Sequence, residues 1–308
     1  MENKKSYNKM LIYCPNHKFN IFEDYILSLC DNNDFITVKQ WKTGDKIIID
    51  DTYKTIIFLQ VLPNHNNKII IKTEMEVNIF ICNTEQLTES INLFIYNITS
   101  FYIYCKTKHT NIMIGIIDYS EQNIDILYKH DFIITNNISI HHLPYQYYDT
   151  EINNLKKLCI DTRMVSTCGC HSEYRQQIKN NIETNNNIII TLANGFTEIR
   201  DTIIGKHKIL LNVSSKESFT IFEHIRCDRW IFAGKIIISE YKIDYNNLDI
   251  SNFIIWSSTE QLGQTVEDVL CNYDTYIKLY NTSEYQNMLS TIITNRKQKL
   301  TDFFNLYL

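Results

Sequence analysis

Two segments of this chain gather side chains suited to binding anions and diols. The first runs from Lys208 to Glu240, KILLNVSSKESFTIFEHIRCDRWIFAGKIIISE. It reads as a buried strand, a polar loop, a helix predicted to begin near Thr220, a stop at Gly234 and a second buried strand. A loop feeding a helix start offers free backbone N–H groups and the positive end of a helix dipole, which suit a phosphate. Glu223 is expected in the first turn, where a carboxylate reaches a ribose diol. On a 3.6-residue wheel Ile221, Phe222, Ile225 and Phe232 form the apolar stripe, and Glu223 and Arg226 project together elsewhere. Arg229 falls inside the stripe. A buried guanidinium needs a carboxylate or phosphate partner. Glu240 and Asp201 are the candidate carboxylates, with Glu240, at the end of the next strand, preferred; a ligand phosphate is the alternative.

The second segment is TCGCHSEYR, Thr167 to Arg175. Cys168, Cys170 and His171 have metal-ligand chemistry, but a zinc site takes about four ligands and no second cluster such as CxxC follows. No metal site is expected. The segment reads instead as a glycine-bearing turn from strand to helix, with Ser172 as N-cap and Arg175 one turn in. The chain has no G-x-S-x-G elbow, no Walker A sequence and no G-x-G-x-x-G, which removes the usual signatures of a serine hydrolase, a P-loop enzyme and a dinucleotide site.

The elements that position these segments alternate along the chain. Lys9–Cys14 reads as a first strand ended by Pro15, with Phe19–Cys30 as the following helix. Further strands are expected at 35–38, 55–60, 69–72, 78–82, 112–117 and 132–135, with helices around 88–94 and 121–129. The polar stretch 146–157 is the expected linker, giving domains 1–150 and 151–308. After it come strands near 158–165, 187–192, 208–213, 235–239 and 253–256, helices at 172–182, 196–204 and 220–233, and C-terminal helices from Thr265. Continuous Ile-rich runs mark strands buried on both faces, and their alternation with helices predicts parallel sheets. The expected fold class is therefore α/β, with two Rossmann-like lobes that bind ligands in a cleft at their strand ends.

The chain has 308 residues, enough for two ordinary domains. Apolar residues make up 44% and charged residues 21%, a globular balance, and the net charge is -5. Without clustered positive charge no nucleic-acid or anionic-membrane partner is expected. The nine scattered cysteines read as reduced thiols. The start MENKKSYNKM lacks a signal-peptide pattern, and Ile91–Cys105, broken by polar residues, is too short to span a bilayer. A soluble cytoplasmic protein is expected. The chain holds only six arginines against a strong Ile, Asn and Lys bias, so an arginine here is more informative than usual.

Several motifs together resemble the two-lobed GT-B glycosyltransferases of giant DNA viruses of the mimivirus type and their bacterial relatives. They are Leu211-Asn212 at a strand end, Phe222-Glu223-His224-Ile225-Arg226-Cys227, Gly234 and Ser239-Glu240. Asn83-Thr84-Glu85-Gln86-Leu87, Asp118-Tyr119-Ser120, Leu143-Pro144-Tyr145-Gln146 and Arg200-Asp201 also look alike, in the same order along residues 78–240. Two departures stand out. The Glu-X7-Glu signature of many retaining enzymes is absent, with Arg229 where its second Glu would stand, and Ser214 takes the place of a His.

The resemblance implies a metal-independent transfer of a sugar from a nucleotide-sugar, bound in the second lobe, to a glycan or protein acceptor, with no cofactor beyond the donor itself. It implies donor contacts from Ser172, Arg175, Lys216, Glu223, Arg226 and Glu240, with Arg175 and Lys216 on the diphosphate. A general base is implied near the first lobe's strand ends, where His17, Glu85, Asp118 and His65 are candidates. For a viral protein the cytoplasm is that of the host cell or its viral factory. A catalytically silent GT-B-like binding or scaffold protein is the rival reading, and another two-lobed sugar or nucleotide enzyme such as an epimerase a third.

Overall fold

The computed structural model describes residues 9–30, 33–60, 69–108 and 111–308. They form two compact units: one runs to Pro144 and takes back Gln298–Leu308, and the other is Tyr145–Lys297.

The first unit is built on a six-stranded, wholly parallel sheet. Its elements in chain order are β1 (Met10–Pro15), α1 (Asn16–Cys30), β2 (Ile36–Trp41), β3 (Ile47–Ile49), β4 (Thr55–Leu59), β5 (Ile69–Ile71), β6 (Val77–Asn83), α2 (Leu87–Lys108), β7 (Ile112–Asp118), α3 (Glu121–Leu127), α4 (Asp131–Thr135) and β8 (Ser139–His142). The sheet order is β2-β1-β4-β6-β7-β8, and β3 pairs separately with β5. Strands β1, β4, β6 and β7 are buried almost throughout, as expected for parallel strands covered on both faces.

The second unit carries a five-stranded parallel sheet ordered β10-β9-β11-β12-β13. Its elements are α5 (Asp149–Leu158), β9 (Arg163–Cys168), α6 (Glu173–Asn186), β10 (Ile190–Ala193), α7 (Thr197–Gly205), β11 (His207–Asn212), α8 (His224–Phe232), β12 (Ile236–Glu240), β13 (Ile254–Ser257), α9 (Leu262–Cys271), α10 (Tyr273–Tyr280) and α11 (Ser283–Tyr307). Val165 of β9 and Ile and Leu residues of β11 and β12 form the core with α6 and α9. From β9 the chain moves outward to β10, then returns to place β11 on the opposite side of β9. That reversal makes the C-terminal ends of β9 and β11 the topological switch point, where open α/β sheets bind ligands.

Several elements differ from the sequence reading. Residues 132–135 form helix α4, not a strand. His130 caps it, its Nδ1 accepting from the Phe132 N–H, and only Ile133 is buried while Ile134 is exposed. A central strand would bury both. The polar stretch 146–157 contains helix α5, which buries Ile152 and Leu155 and matches its dipole with Asp149 and Glu151 early and Lys156 and Lys157 late. Helix α1 starts directly after Pro15, so His17 lies in its first turn rather than in a loop. The last residues of α11 pack in the first unit, where Phe303 and Tyr307 set ring edges against Phe80, at centroid distances of 5.0 and 4.7 Å.

Helix α8 begins four residues later than expected. Residues 219–223 are loop. Ile221 and Phe222 are fully buried there, and Asp244 accepts the Phe222 N–H while Thr220 accepts the Ile243 N–H. The apolar pair fills the core from a loop, which leaves Glu223 at the N-cap of α8 instead of in its first turn.

Candidate nucleotide site

At the switch point the chain leaves β9 through Gly169, whose φ of +120° favours glycine. A Cβ at Gly169 would stand 3.0 Å from Nη1 and Nη2 of Arg175 and 3.0 Å from Nη2 of Arg226. Two guanidinium groups therefore converge on one backbone position. Arg175 comes from α6, whose N-cap Ser172 accepts the Arg175 N–H, so the same turn also presents a helix N-terminus. Arg226 comes from the first turn of α8.

Each arginine is held from behind. Arg175 is buried and donates from Nε and Nη2 to the Val213 carbonyl, at 3.1 and 2.9 Å, and from Nη1 to the Cys170 carbonyl. A guanidinium has five N–H donors, so these bonds fix its plane without exhausting it. Arg226 donates to Asn212 Oδ1 at 3.2 Å and stands 3.6 Å from Glu223 Oε2. Burial, then the Arg226 charge, lowers the Arg175 guanidinium below its ordinary value. Burial also works against the Arg226 charge, but Glu223 and nearby thiols outweigh it and raise that guanidinium. An anion bound between the two would relieve their mutual repulsion.

The remaining second-unit candidates have other surroundings. Glu240 is buried at the end of β12 and accepts from the Ser214 N–H at 2.7 Å, Lys242 Nζ at 2.7 Å and Tyr174 OH at 2.9 Å. It lashes the loop after β11 to β12. Lys216 is exposed, with Nζ 5.3 Å from the centre of the Phe219 ring. Arg229 pairs with Asp201 and with Glu151. The preferred partner Glu240 is corrected: that carboxylate already faces Lys242, and α7 delivers Asp201 to the buried face of α8 instead. The sequence reading missed Glu151 because it was assigned to a linker.

In the first unit, Asp118 is fully buried at the end of β7. It accepts from Asn83 Nδ2 (2.7 Å), the Ser120 N–H (2.8 Å) and Asn123 Nδ2 (3.1 Å). Burial pushes its carboxyl up to about 7, with those three donors pulling the other way. Asn83 and Asn123 also donate to the Glu85 carbonyl, so Asp118 and the loop carrying Glu85 share one network. The Glu85 side chain is exposed and accepts from Gln60 Nε2. His17 is exposed at the end of β1, and His65 lies outside the described residues.

The structure has the two-lobed α/β architecture of the GT-B glycosyltransferases. It is similar to T4 phage BGT in complex with UDP and Mn2+, with a TM-score of 0.54, 11% identity, and coverage of 96% of this chain and 98% of that one. It is also similar to T4 phage BGT in complex with its UDP-glucose substrate, with a TM-score of 0.52, 12% identity, and coverage of 97% and 99%. At such identities the likeness shows the fold.

In sequence the chain is related to proteins of Acanthamoeba polyphaga mimivirus, in line with the motif resemblance. The uncharacterized protein L140 is 29% identical over 288 residues, which covers 92% of this chain and 84% of the relative. The uncharacterized protein L138 is 32% identical over 261 residues, 80% of this chain but 27% of that longer relative. No family model matches the chain.

The expectation of a metal-independent protein is corrected by the first of these complexes, in which Mn2+ accompanies UDP on the same fold. Among the described residues no three His, Cys, Asp or Glu side chains gather as a metal-holding group, so they form no protein-only cage for such an ion. Among the same residues no helix is long and apolar enough to cross a membrane.

Proposed function

We propose that this protein is a glycosyltransferase that moves a sugar from a nucleotide-sugar donor to a glycan or protein acceptor. The observation that carries the reading is the convergence of Arg175 and Arg226 on Gly169 at the switch point of the second sheet. There the α6 N-terminus and the two guanidinium groups hold the donor's diphosphate, and Glu223, beside Arg226, accepts hydrogen bonds from the ribose hydroxyls. In the transfer the acceptor oxygen forms a bond to the anomeric carbon as the bond to the diphosphate breaks. The leaving diphosphate gains negative charge, which the paired arginines stabilise most at that moment. The acceptor's proton passes to a base, for which His17 and Glu85 are the exposed first-unit candidates, with Asp118 positioning the Glu85 loop.

A second reading is a GT-B-like binding protein without turnover. It is favoured by Ser214, which replaces the His of the resembled motif and is buried against Phe219 and Lys242. The test is release of UDP from UDP-glucose, with an added oligosaccharide acceptor, in Mn2+ and in a chelator. Release that Arg226→Met abolishes supports the transferase; UDP binding without release supports the second reading. Neither binding nor release, for UDP-, GDP- and CMP-sugars alike, removes both.

A further inference from the structure

An aromatic group stands at the ends of β12 and β13. Tyr241 follows Glu240 directly, is 52% exposed, and stacks on Trp256 with centroids 6.5 Å apart and planes 13° apart. Tyr245 sets an edge against both rings, at 5.1 Å and 5.9 Å. Buried Phe222 backs Trp256 at 5.5 Å, and Trp256 Nε1 donates to Ser251 Oγ at 3.0 Å. The ring beneath Tyr241 is therefore fixed in place. The Tyr241 N–H still bonds the Ser257 carbonyl at 3.0 Å, so its backbone continues the line of β12.

The register puts this group on the same side of the sheet as Arg226. Asn212 pairs with Ser239, and Ser239 with Trp256, so all three share one face. Arg226 donates to Asn212 on that face, and Tyr241, two residues past Ser239, returns to it. Adjacent strands are ~4.8 Å apart, so β12 lies about 10 Å from β9 across the switch point. Glu223 links the aromatic group to Arg226, following Phe222, which packs on Trp256, in the chain and standing 3.6 Å from Arg226. Two guanidinium groups, a carboxylate and a half-exposed stacked ring thus follow one another in this series of contacts. That is the order of diphosphate, ribose and base in a nucleotide.

We propose that Tyr241, stacked on Trp256, is the platform on which the donor's nucleobase lies. This rests on the nucleotide-sugar reading above and extends it from the diphosphate to the base. Every base has a π face, so the platform confers affinity for a nucleoside without choosing between uracil and guanine.

The test titrates UDP, GDP and inorganic pyrophosphate into wild type, Tyr241→Ala and Tyr241→Phe. Stacking energies of this kind predict that Tyr241→Ala weakens UDP and GDP by roughly fivefold to a hundredfold. Pyrophosphate should bind unchanged, and Tyr241→Phe should behave as wild type. Equal UDP affinity in wild type and Tyr241→Ala overturns the platform while leaving the diphosphate site standing. So does a wild type that binds UDP no better than pyrophosphate, or a Tyr241→Ala that loses pyrophosphate equally, since distortion then explains the loss. A wild type that binds none of the three defeats the parent reading and the platform with it.

Discussion

Arg229 grips Asp201 with both ends of its guanidinium, Nη1 to Oδ1 at 2.9 Å and Nη2 to Oδ2 at 2.8 Å, and Glu151 meets the same Nη2. Both carboxylates and the guanidinium are largely out of water. Removing the arginine takes away the cation the two carboxylates share and leaves Asp201 with Arg200 and Glu151 with the Tyr145 hydroxyl, so Arg229→Met should destabilise the protein by ~3 kcal/mol, the low end for a broken buried pair. Urea denaturation should show the same loss with and without UDP. A variant as stable as wild type that has lost only its response to UDP would place Arg229 in the binding site instead.

Gly169→Ala should strike the site itself. The +120° φ is strained for alanine, and the added methyl meets three guanidinium nitrogens at 3.0 Å. Stability should fall by about 1–3 kcal/mol and nucleotide affinity more steeply, because both arginines must shift. Calorimetric titration of UDP checks this; a variant that binds UDP as wild type does would show that the arginines do not meet the ligand from this position.

Glu223→Gln separates a ribose ligand from a structural cap. Glu223 is the N-cap residue of α8, and its side chain makes no capping hydrogen bond, so its charge acts on the helix start only through the dipole, about 0.3–1 kcal/mol, and the 3.6 Å approach of Arg226. The melting temperature should change little, while the loss of a charge-assisted hydrogen bond, ~1.5–3 kcal/mol, weakens UDP at least about tenfold. Unchanged affinity with a large drop in melting temperature would reverse the assignment.

Asp118 gives a pH dependence with a definite sign. Its folded value of about 7 lies above the 3.8 of an ordinary aspartate, so the folded state keeps the proton longer than the unfolded chain. The stability this proton contributes is complete below about pH 4 and is lost as pH rises toward 7, by at most ~4 kcal/mol. Asp118→Asn removes that titration. The stability of wild type relative to the variant should therefore decline from pH 4 to pH 7; a constant difference would mean that Asp118 is ionised throughout.

Parallel sheets were legible because β1, β4, β6 and β11 are short apolar runs, as strands covered on both faces are, and they alternate with helical segments. Local chemistry also marked Ser172 as the cap of α6. What the sequence hid depended on distant partners. Residues 132–135 have strand composition, yet a cap from His130 and one-sided burial make them helical. The Ile221-Phe222 pair fits a helical stripe, but Asp244, some twenty residues on, accepts the Phe222 N–H and the pair stays in a loop. Arg226 was picked out by type and spacing, whereas its meeting with Arg175 at Gly169 follows from strand order, which periodicity does not encode. Tyr241 carried no signal except its place after Ser239-Glu240.

The central claim is that the second unit binds a nucleoside diphosphate between Arg175 and Arg226, and calorimetric titration of UDP into wild type and Arg226→Met tests it most directly. The titration is run with Mn2+ and again with a chelator, so that any metal requirement shows as a difference between the two. Wild type should bind in at least one condition, and Arg226→Met, matched in melting temperature, should bind at least about tenfold more weakly, as expected for losing a charge-assisted contact. UDP binding of equal strength to both proteins would contradict the account, as would a wild type that binds neither UDP nor GDP in either condition.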